Sequence, residues 1–238
     1  MSPVVNLPPR RLTISVREAR LIVERILLTL DLGSGYAPSV RDVVLTSQSL
    51  GCAGFVGLAD AGRQASLKAG AVHLANVSVQ RNAIDITVTA PQLHAWLVLP
   101  IWLDQIVAQV RQDGACVCSI SGVTEPAELA AIVPHAARYG IRAAFDLEED
   151  GGRVHAQAAA GDDAAVSNPC LQQALREGFY VAEAQWWPLY EASKKALSPD
   201  SVTSRRHAGP TIVQDDGTVI GRPPADDDTD IALLRHPH

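Results

Sequence analysis

Ser204, Arg205, Arg206 and His207 stand side by side near the C-terminus. Hydroxyl, guanidinium and imidazole groups in such a run can grip a carboxylate or phosphate, because arginine offers these anions a planar fork of donors. His207 is the candidate for proton transfer, and a solvated basic turn is the competing reading of the same four residues. A second anion-binding candidate is Ser119-Ile-Ser-Gly-Val-Thr124, read as the loop at the end of a strand, where open α/β sheets place their ligands. Ser121 and Thr124 supply hydroxyls there, a helix N-terminus follows, and Glu125 is the one acid-base residue close by.

Other chemistries lack their signatures. The four cysteines, at 52, 116, 118 and 170, form neither a metal spacing nor a disulfide framework, so no metal site is expected. Cys116 and Cys118 lie two apart on an expected strand and share a face; buried cysteines acting as small hydrophobes fit better than a redox pair. Gly51-Cys-Ala-Gly-Phe-Val-Gly57 is glycine-rich, yet its glycine order is not that of a dinucleotide loop, no Lys-Ser/Thr follows, and a helix precedes it where a strand is needed. It reads as a turn between closely packed elements, and no cofactor is expected from motifs. His73, His94, His135 and His155 are single residues inside helix or strand patterns, where structural or surface roles are the default. Trp186 and Trp187 diverge by about 100° on a helix, so at least one is expected to plug the core.

These residues need elements to hold them, and the central ones occupy residues 91–147. Leu93, Trp96, Leu97, Ile101, Leu103, Ile106, Val107 and Val110 predict a helix stopped by Gly114, with a break expected at Pro100 because an interior proline loses a hydrogen bond and crowds the preceding turn. Cys116–Ile120 predicts a buried strand, Thr124-Glu-Pro-Ala-Glu128 a helix N-terminus capped by Thr124, and Ile141–Phe145 a second strand. Strand, helix and strand in this span predict a parallel βαβ crossover. Upstream, Ser15 and Glu18 form a capping box before an apolar stripe at Ala19, Ile22, Val23, Ile26, Leu27 and Leu30, and a second helix over 38–49 completes a helical hairpin. A short helix is expected over 58–67. A β-hairpin is expected from strands 72–79 and 83–89 about Gln80-Arg-Asn82, with Asp85 facing solvent, and a strand at 153–160 should pair with 141–147. Residues 171–195 read as largely helical, and Val213–Val219 as a hairpin tip about Asp216-Gly217.

Two family resemblances follow from these residues. Leu99-Pro100 and Pro199-Asp-Ser201-Val-Thr-Ser204-Arg205 resemble an uncharacterised bacterial family, a domain of unknown function, that pairs an N-terminal helical segment with a Leu-Pro apolar run and ends on a Pro-x-Thr/Ser-x-x-Ser-Arg segment; its glycine-rich continuation is reduced here to Ala208-Gly209-Pro210. That resemblance implies no activity. Residues 14–147 are also similar in spacing to the first half of the type 2 malate/lactate dehydrogenase family: two helices, a Gly-containing turn, a Lys-Ala-Gly, an Ile-Asp, then helix, strand and helix. This second resemblance implies a nicotinamide cofactor and a 2-oxo or 2-hydroxy acid. However, the family's Asp-Ser-His-Gly segment is replaced by Ala53-Gly54-Phe55-Val56, and a histidine expected near Ser121–Glu125 is absent. Phenylalanine cannot transfer a proton, so dehydrogenase chemistry in that form is not expected.

At 238 residues, 47% hydrophobic and 19% charged, the chain can bury a sizeable core. The expected fold is α/β (or α+β), with an N-terminal helical hairpin, a mixed sheet containing a βαβ unit, a C-terminal helix and an extended tail. The expected organisation is a mobile leader over 1–12, one domain over 13–197 and a polar tail over 198–238. A net charge of -6 gives no basis for nucleic-acid binding, and no apolar run approaches the length of a membrane span, so neither partner is expected. The N-terminus lacks the pattern of a signal peptide, and the expected location is cytoplasmic. Together these features predict a binding or accessory subunit of small-molecule metabolism, partnered by a catalytic subunit or by further copies of itself. The alternative is an enzyme acting on a small carboxylate metabolite, and the third reading is a redox sensor using Cys116 and Cys118.

Overall fold

The computed structural model describes residues 10–33, 35–82, 85–159 and 169–196, together with the backbone of two short strands at 212–213 and 219–220. The chain divides into two units, Met1–Ala196 and Leu197–His238. In the second, Ile212–Val213 pairs antiparallel with Val219–Ile220, bracketing the residues read as a hairpin tip.

The first unit is a mixed α/β fold. It opens with strand β1 (Arg11–Ile14), which begins inside the segment read as a leader, and helix α1 (Val16–Thr29). Ser15 caps α1 as its sequence predicts, its hydroxyl accepting from the Glu18 N–H at 3.1 Å. The stripe from Ala19 to Leu27 is buried against α2 (Ala37–Ser49). Two short helices follow, α3 (Gly54–Ala59) and α4 (Ala61–Ala71), so the glycine-rich segment read as a turn is in part helical.

The central sheet has five strands in the order β2 (Ser78–Asn82), β3 (Asp85–His94), β4 (Ala115–Thr124), β6 (Gly151–Ala158) and β5 (Ile141–Glu148). The first hairpin exists, but its first strand starts at Ser78: Val72 caps the end of α4, Leu74–Asn76 form a single 3₁₀ turn, and Arg81 and Asn82 lie within the strand. Ile86, Val88 and Ala90 point inward while Asp85, Thr87 and Thr89 are exposed, as the period-2 pattern requires.

Between β3 and β4 runs α5 (Ala95–Asp113), ended by Gly114 in the left-handed conformation at φ 82°. The expected break at Pro100 is not there; the helix passes through it. An interior proline costs about 3 kcal/mol. That is smaller than the summed gain from burying the helix's apolar side chains, roughly 1.5–3 kcal/mol for each large one, and Trp96, Leu97, Val98, Leu99, Trp102, Leu103, Ile106, Val107 and Val110 are all buried. The Tyr36 hydroxyl donates to the Leu97 carbonyl, beside the turn that Pro100 disturbs.

The crossover also differs from expectation. The parallel neighbours are β3 and β4, joined by α5, whereas β4 and β5 are separated by β6, which is antiparallel to both. Two features account for it: β5 and β6 form a hairpin across Glu149-Asp150, and Gly151 lets β6 pack against β4, where a Cβ would sit 1.9 Å from the Ile120 carbonyl oxygen. The helix expected after β4 is a 3₁₀ segment, Pro126–Ala131, continuing into α6 (Ile132–Ala137).

The final stretch is less helical than its pattern suggests. Helix α7 (Pro169–Glu177) and helix α8 (Glu183–Ser193) are separated by β7 (Phe179–Ala182), which pairs with β1 in a small second sheet. Trp186 is 1% exposed and packs edge-on against Phe55, while Trp187 is 45% exposed, so one indole does plug the core. No helix among the described residues is long and apolar enough to cross a membrane.

Candidate functional site

The parallel strands β3 and β4 end side by side, with His94 in register with Thr124. In an α/β sheet the carboxyl ends of parallel strands leave a crevice lined by helix starts, and here α5 begins at that point. His94 is its N-cap: Nδ1 accepts from the Trp96 N–H at 3.1 Å. A neutral imidazole that accepts at Nδ1 carries its proton on Nε2. Burial and then the Arg63 charge push the His94 pKa down to about 3, so the ring is neutral at physiological pH and Nε2–H is a donor.

Arg63 enters from α4, whose N-cap Asp60 accepts from the Arg63 N–H at 2.7 Å. Its guanidinium lies over the Trp96 ring, 5.5 Å from the centroid, and Nη2 donates to Glu125 Oε1 at 3.1 Å. Glu125, directly after β4, holds a left-handed backbone at φ 57°. The guanidinium fits because residue 57 has no side chain: a Cβ on Gly57 would sit 2.2 Å from Arg63 Nη1 and 3.0 Å from Trp96 Cη2.

Three polar atoms at these strand ends are buried without a hydrogen-bond partner among the described residues: Arg63 Nη1, His94 Nε2 and Thr124 Oγ1. A buried unsatisfied donor costs about 1–3 kcal/mol, and native structures leave few such groups unexplained. Two of the three are obligate donors and the third is a hydroxyl, so a partner for the set must bring acceptors.

Beneath them lies a polar contact that is fully made. Glu128 is 4% exposed, and its carboxylate accepts from Trp96 Nε1 at 2.9 Å, from the Ala53 N–H at 2.8 Å and from the Ser47 hydroxyl. These bonds tie α2, α3 and α5 to the 3₁₀ segment, and they hold the Trp96 indole on which Arg63 rests. His94 packs on the same indole, ring centroids 4.7 Å apart.

The residues singled out from sequence distribute unevenly. Thr124 belongs to this group, though as the last residue of β4 rather than as a helix cap, since the position before the 3₁₀ segment is Glu125 and makes no side-chain cap. Ser121 lies inside β4, paired with Thr89, on the side of the sheet that carries Ser119 and Arg153; the stretch read as a loop continues as strand. Ser204, Arg205, Arg206 and His207 lie outside the described residues. Cys116 and Cys118 are buried on one face as expected, and Cys118 Sγ accepts from Trp102 Nε1 at 3.0 Å. Arg63, Trp96, Glu128 and Ser47 carry no local motif. His94 had one usable signal, its position where period-2 alternation gives way to a helical stripe. Among the described residues no cluster of His, Cys, Asp and Glu could hold a metal ion.

No protein-family model matches the chain, and no curated protein matches its sequence. Solved structures similar to it include a malate dehydrogenase from Entamoeba histolytica (11% identity, TM-score 0.40, 79% of this chain and 62% of that one). A dehydrogenase from Sinorhizobium meliloti is similar at 12% identity and TM-score 0.46 over 64% of this chain and 53% of that one. A malate dehydrogenase from Pyrococcus horikoshii OT3 is similar at 8% identity and TM-score 0.41 over 90% and 87%. The chain thus spans 62% and 53% of the length of the first two. Likeness at this level assigns neither activity nor cofactor to this chain.

Proposed function

We propose that this protein binds a small carboxylate metabolite at the carboxyl ends of β3 and β4, with Arg63 and His94 donating to the ligand and Thr124 completing the set. The observation that carries the reading is that Arg63 Nη1, His94 Nε2 and Thr124 Oγ1 are buried without a hydrogen-bond partner among the described residues, with His94 in register with Thr124 and both Arg63 and His94 packed on the Trp96 ring. A carboxylate offers four lone-pair positions and satisfies such donors with charge-assisted bonds. Glu125 already holds one edge of the Arg63 guanidinium, which leaves Nη1 for the ligand. Binding without proton transfer suits the group, because His94 stays neutral far below physiological pH and Glu128 has its acceptors occupied. In this form the protein serves small-molecule metabolism as a binding or accessory subunit.

One observation favours a second reading, an enzyme of 2-oxo or 2-hydroxy acids. A neutral imidazole N–H is the form that polarises a substrate carbonyl, and His94 is held in that form.

Titration calorimetry with acetate, pyruvate and the uncharged acetamide tests the site. Acetate and pyruvate should bind saturably and acetamide should not. Arg63→Lys, which keeps the charge but loses the fork, should weaken binding about tenfold or more. Gly57→Ala should do the same by displacing the guanidinium, whose flexible end can move without unfolding the protein. Equal binding by acetamide, or unchanged affinity in both variants, would refute the assignment.

A further inference from the structure

A carboxylate ligand at the strand ends must also meet a carboxylate of the protein, that of Glu125. The Glu125 side chain is 50% exposed, against 18% for Arg63, and His94 is 3% exposed. The group therefore has a deep end made of donors and a shallow end made of an acceptor. Helix α5 starts at the deep end, where the partial positive charge of its N-terminus adds to that of the arginine.

Glu125 keeps its position against a backbone preference. Its φ of 57° lies in the left-handed region, which glycine enters freely and glutamate does not. Residues held in that region cluster at binding and active sites. The bond to Arg63 Nη2, 3.1 Å long, occupies Oε1 of the carboxylate. Among the described residues Oε2 accepts no hydrogen bond, just as Arg63 Nη1 donates none.

The charges of the group also balance. Arg63 is positive, Glu125 is negative, and His94 is neutral with Nδ1 accepting from the Trp96 N–H, so the side chains carry no net charge. Nη1 and Nη2 are bonded to the same carbon. A ligand carboxylate on Nη1 thus stands beside the Glu125 carboxylate on Nη2, and a bare anion is attracted by one group and repelled by the other. A positive charge on the carbon next to the ligand carboxylate turns that repulsion into attraction. An ammonium group supplies the charge together with N–H donors for Glu125.

We propose, building on the carboxylate reading of this site, that its ligand is a small 2-amino acid in zwitterionic form. The ligand carboxylate faces Arg63 Nη1, His94 Nε2 and Thr124 Oγ1, and its ammonium faces Glu125. The ammonium, the more strongly hydrated end, then lies at the exposed side of the group.

Alanine, propionate and ethylammonium test this by titration calorimetry on the full chain. Propionate is alanine without the ammonium, and ethylammonium is alanine without the carboxylate. Alanine should bind about tenfold or more tightly than propionate, the gain of one charge-assisted bond, and ethylammonium should not bind saturably. Glu125→Gln changes a half-exposed side chain and keeps an oxygen for Arg63 Nη2. It should weaken alanine about tenfold while propionate binds as well as before or better, since a repelling charge is gone. A merely structural role for Glu125 would weaken both ligands alike. Propionate binding as tightly as alanine, or a parallel loss of both in Glu125→Gln, would overturn the proposal. If acetate binds and alanine gains nothing over propionate, the amino acid falls and the carboxylate reading stands; if acetate, propionate and alanine all fail to bind, both fall.

Discussion

Acid should destabilise this protein through two neutral histidines, and the size of the effect follows from where they sit. Burial and nearby arginines hold the His94 pKa at about 3 and the His135 pKa at about 4, against an ordinary value of 6.5. The unfolded chain therefore binds a proton at each ring that the folded chain refuses. Stability is intact above about pH 6.5, declines as pH falls below it, and stops declining on this account once the folded values are reached. Each ring contributes a slope of about 1.4 kcal/mol per pH unit. Between pH 6.5 and pH 5 that amounts to about 2 kcal/mol per histidine and about 4 kcal/mol for the pair. Most carboxylates titrate below this window, which isolates the imidazoles. Urea unfolding followed by tryptophan fluorescence is the assay, since Trp96, Trp102 and Trp186 are all buried and will report the transition. His94→Asn and His135→Asn should each remove about half of the pH slope. An unfolding free energy that does not change over this range, or slopes that survive in both variants, would show that the rings accept protons inside the fold. The donor assignment of His94 at the strand-end site would then fail.

Two further outcomes follow from buried groups. Glu128→Ala strips the acceptor from the Trp96 indole, the Ala53 N–H and the Ser47 hydroxyl at once, and should cost about 3–5 kcal/mol in the unfolding free energy from urea titration; a loss below about 1 kcal/mol would mean that those donors find other partners. Burial pushes the Cys116 and Cys118 thiols up to about 11 and about 12, so mass spectrometry after alkylation of the native protein should find exposed Cys170 modified and these two intact. Faster modification of Cys116 or Cys118 than of Cys170 would restore the redox-sensing reading.

What the sequence determined was local. The Ser15 cap and the stripe from Ala19 to Leu27, the alternation that exposes Asp85, Thr87 and Thr89, the Gly114 stop and the pairing expected between 141–147 and 153–160, found two residues earlier in its second strand at 151–158, all depend on periods of 3.6 or 2 and on nearest-neighbour sterics. Those are written in consecutive residues. Tertiary structure decided whatever requires a comparison of competing energies or a contact between distant positions. Helix α5 keeps Pro100 because its two faces are buried by elements that a local pattern cannot count. Residues 179–182 form a strand because β1, more than 160 positions upstream, supplies its hydrogen bonds. Insertion of β6 between β4 and β5 depends on Gly151, which meets the Ile120 backbone far from it in sequence. The strand-end group follows the same rule. Thr124 was visible as a hydroxyl near a strand end, but Arg63, His94 and Glu128 gain their meaning only when α4, β3 and the 3₁₀ segment are folded about Trp96. An unpartnered atom is a property of its surroundings, and the surroundings exist only in the fold.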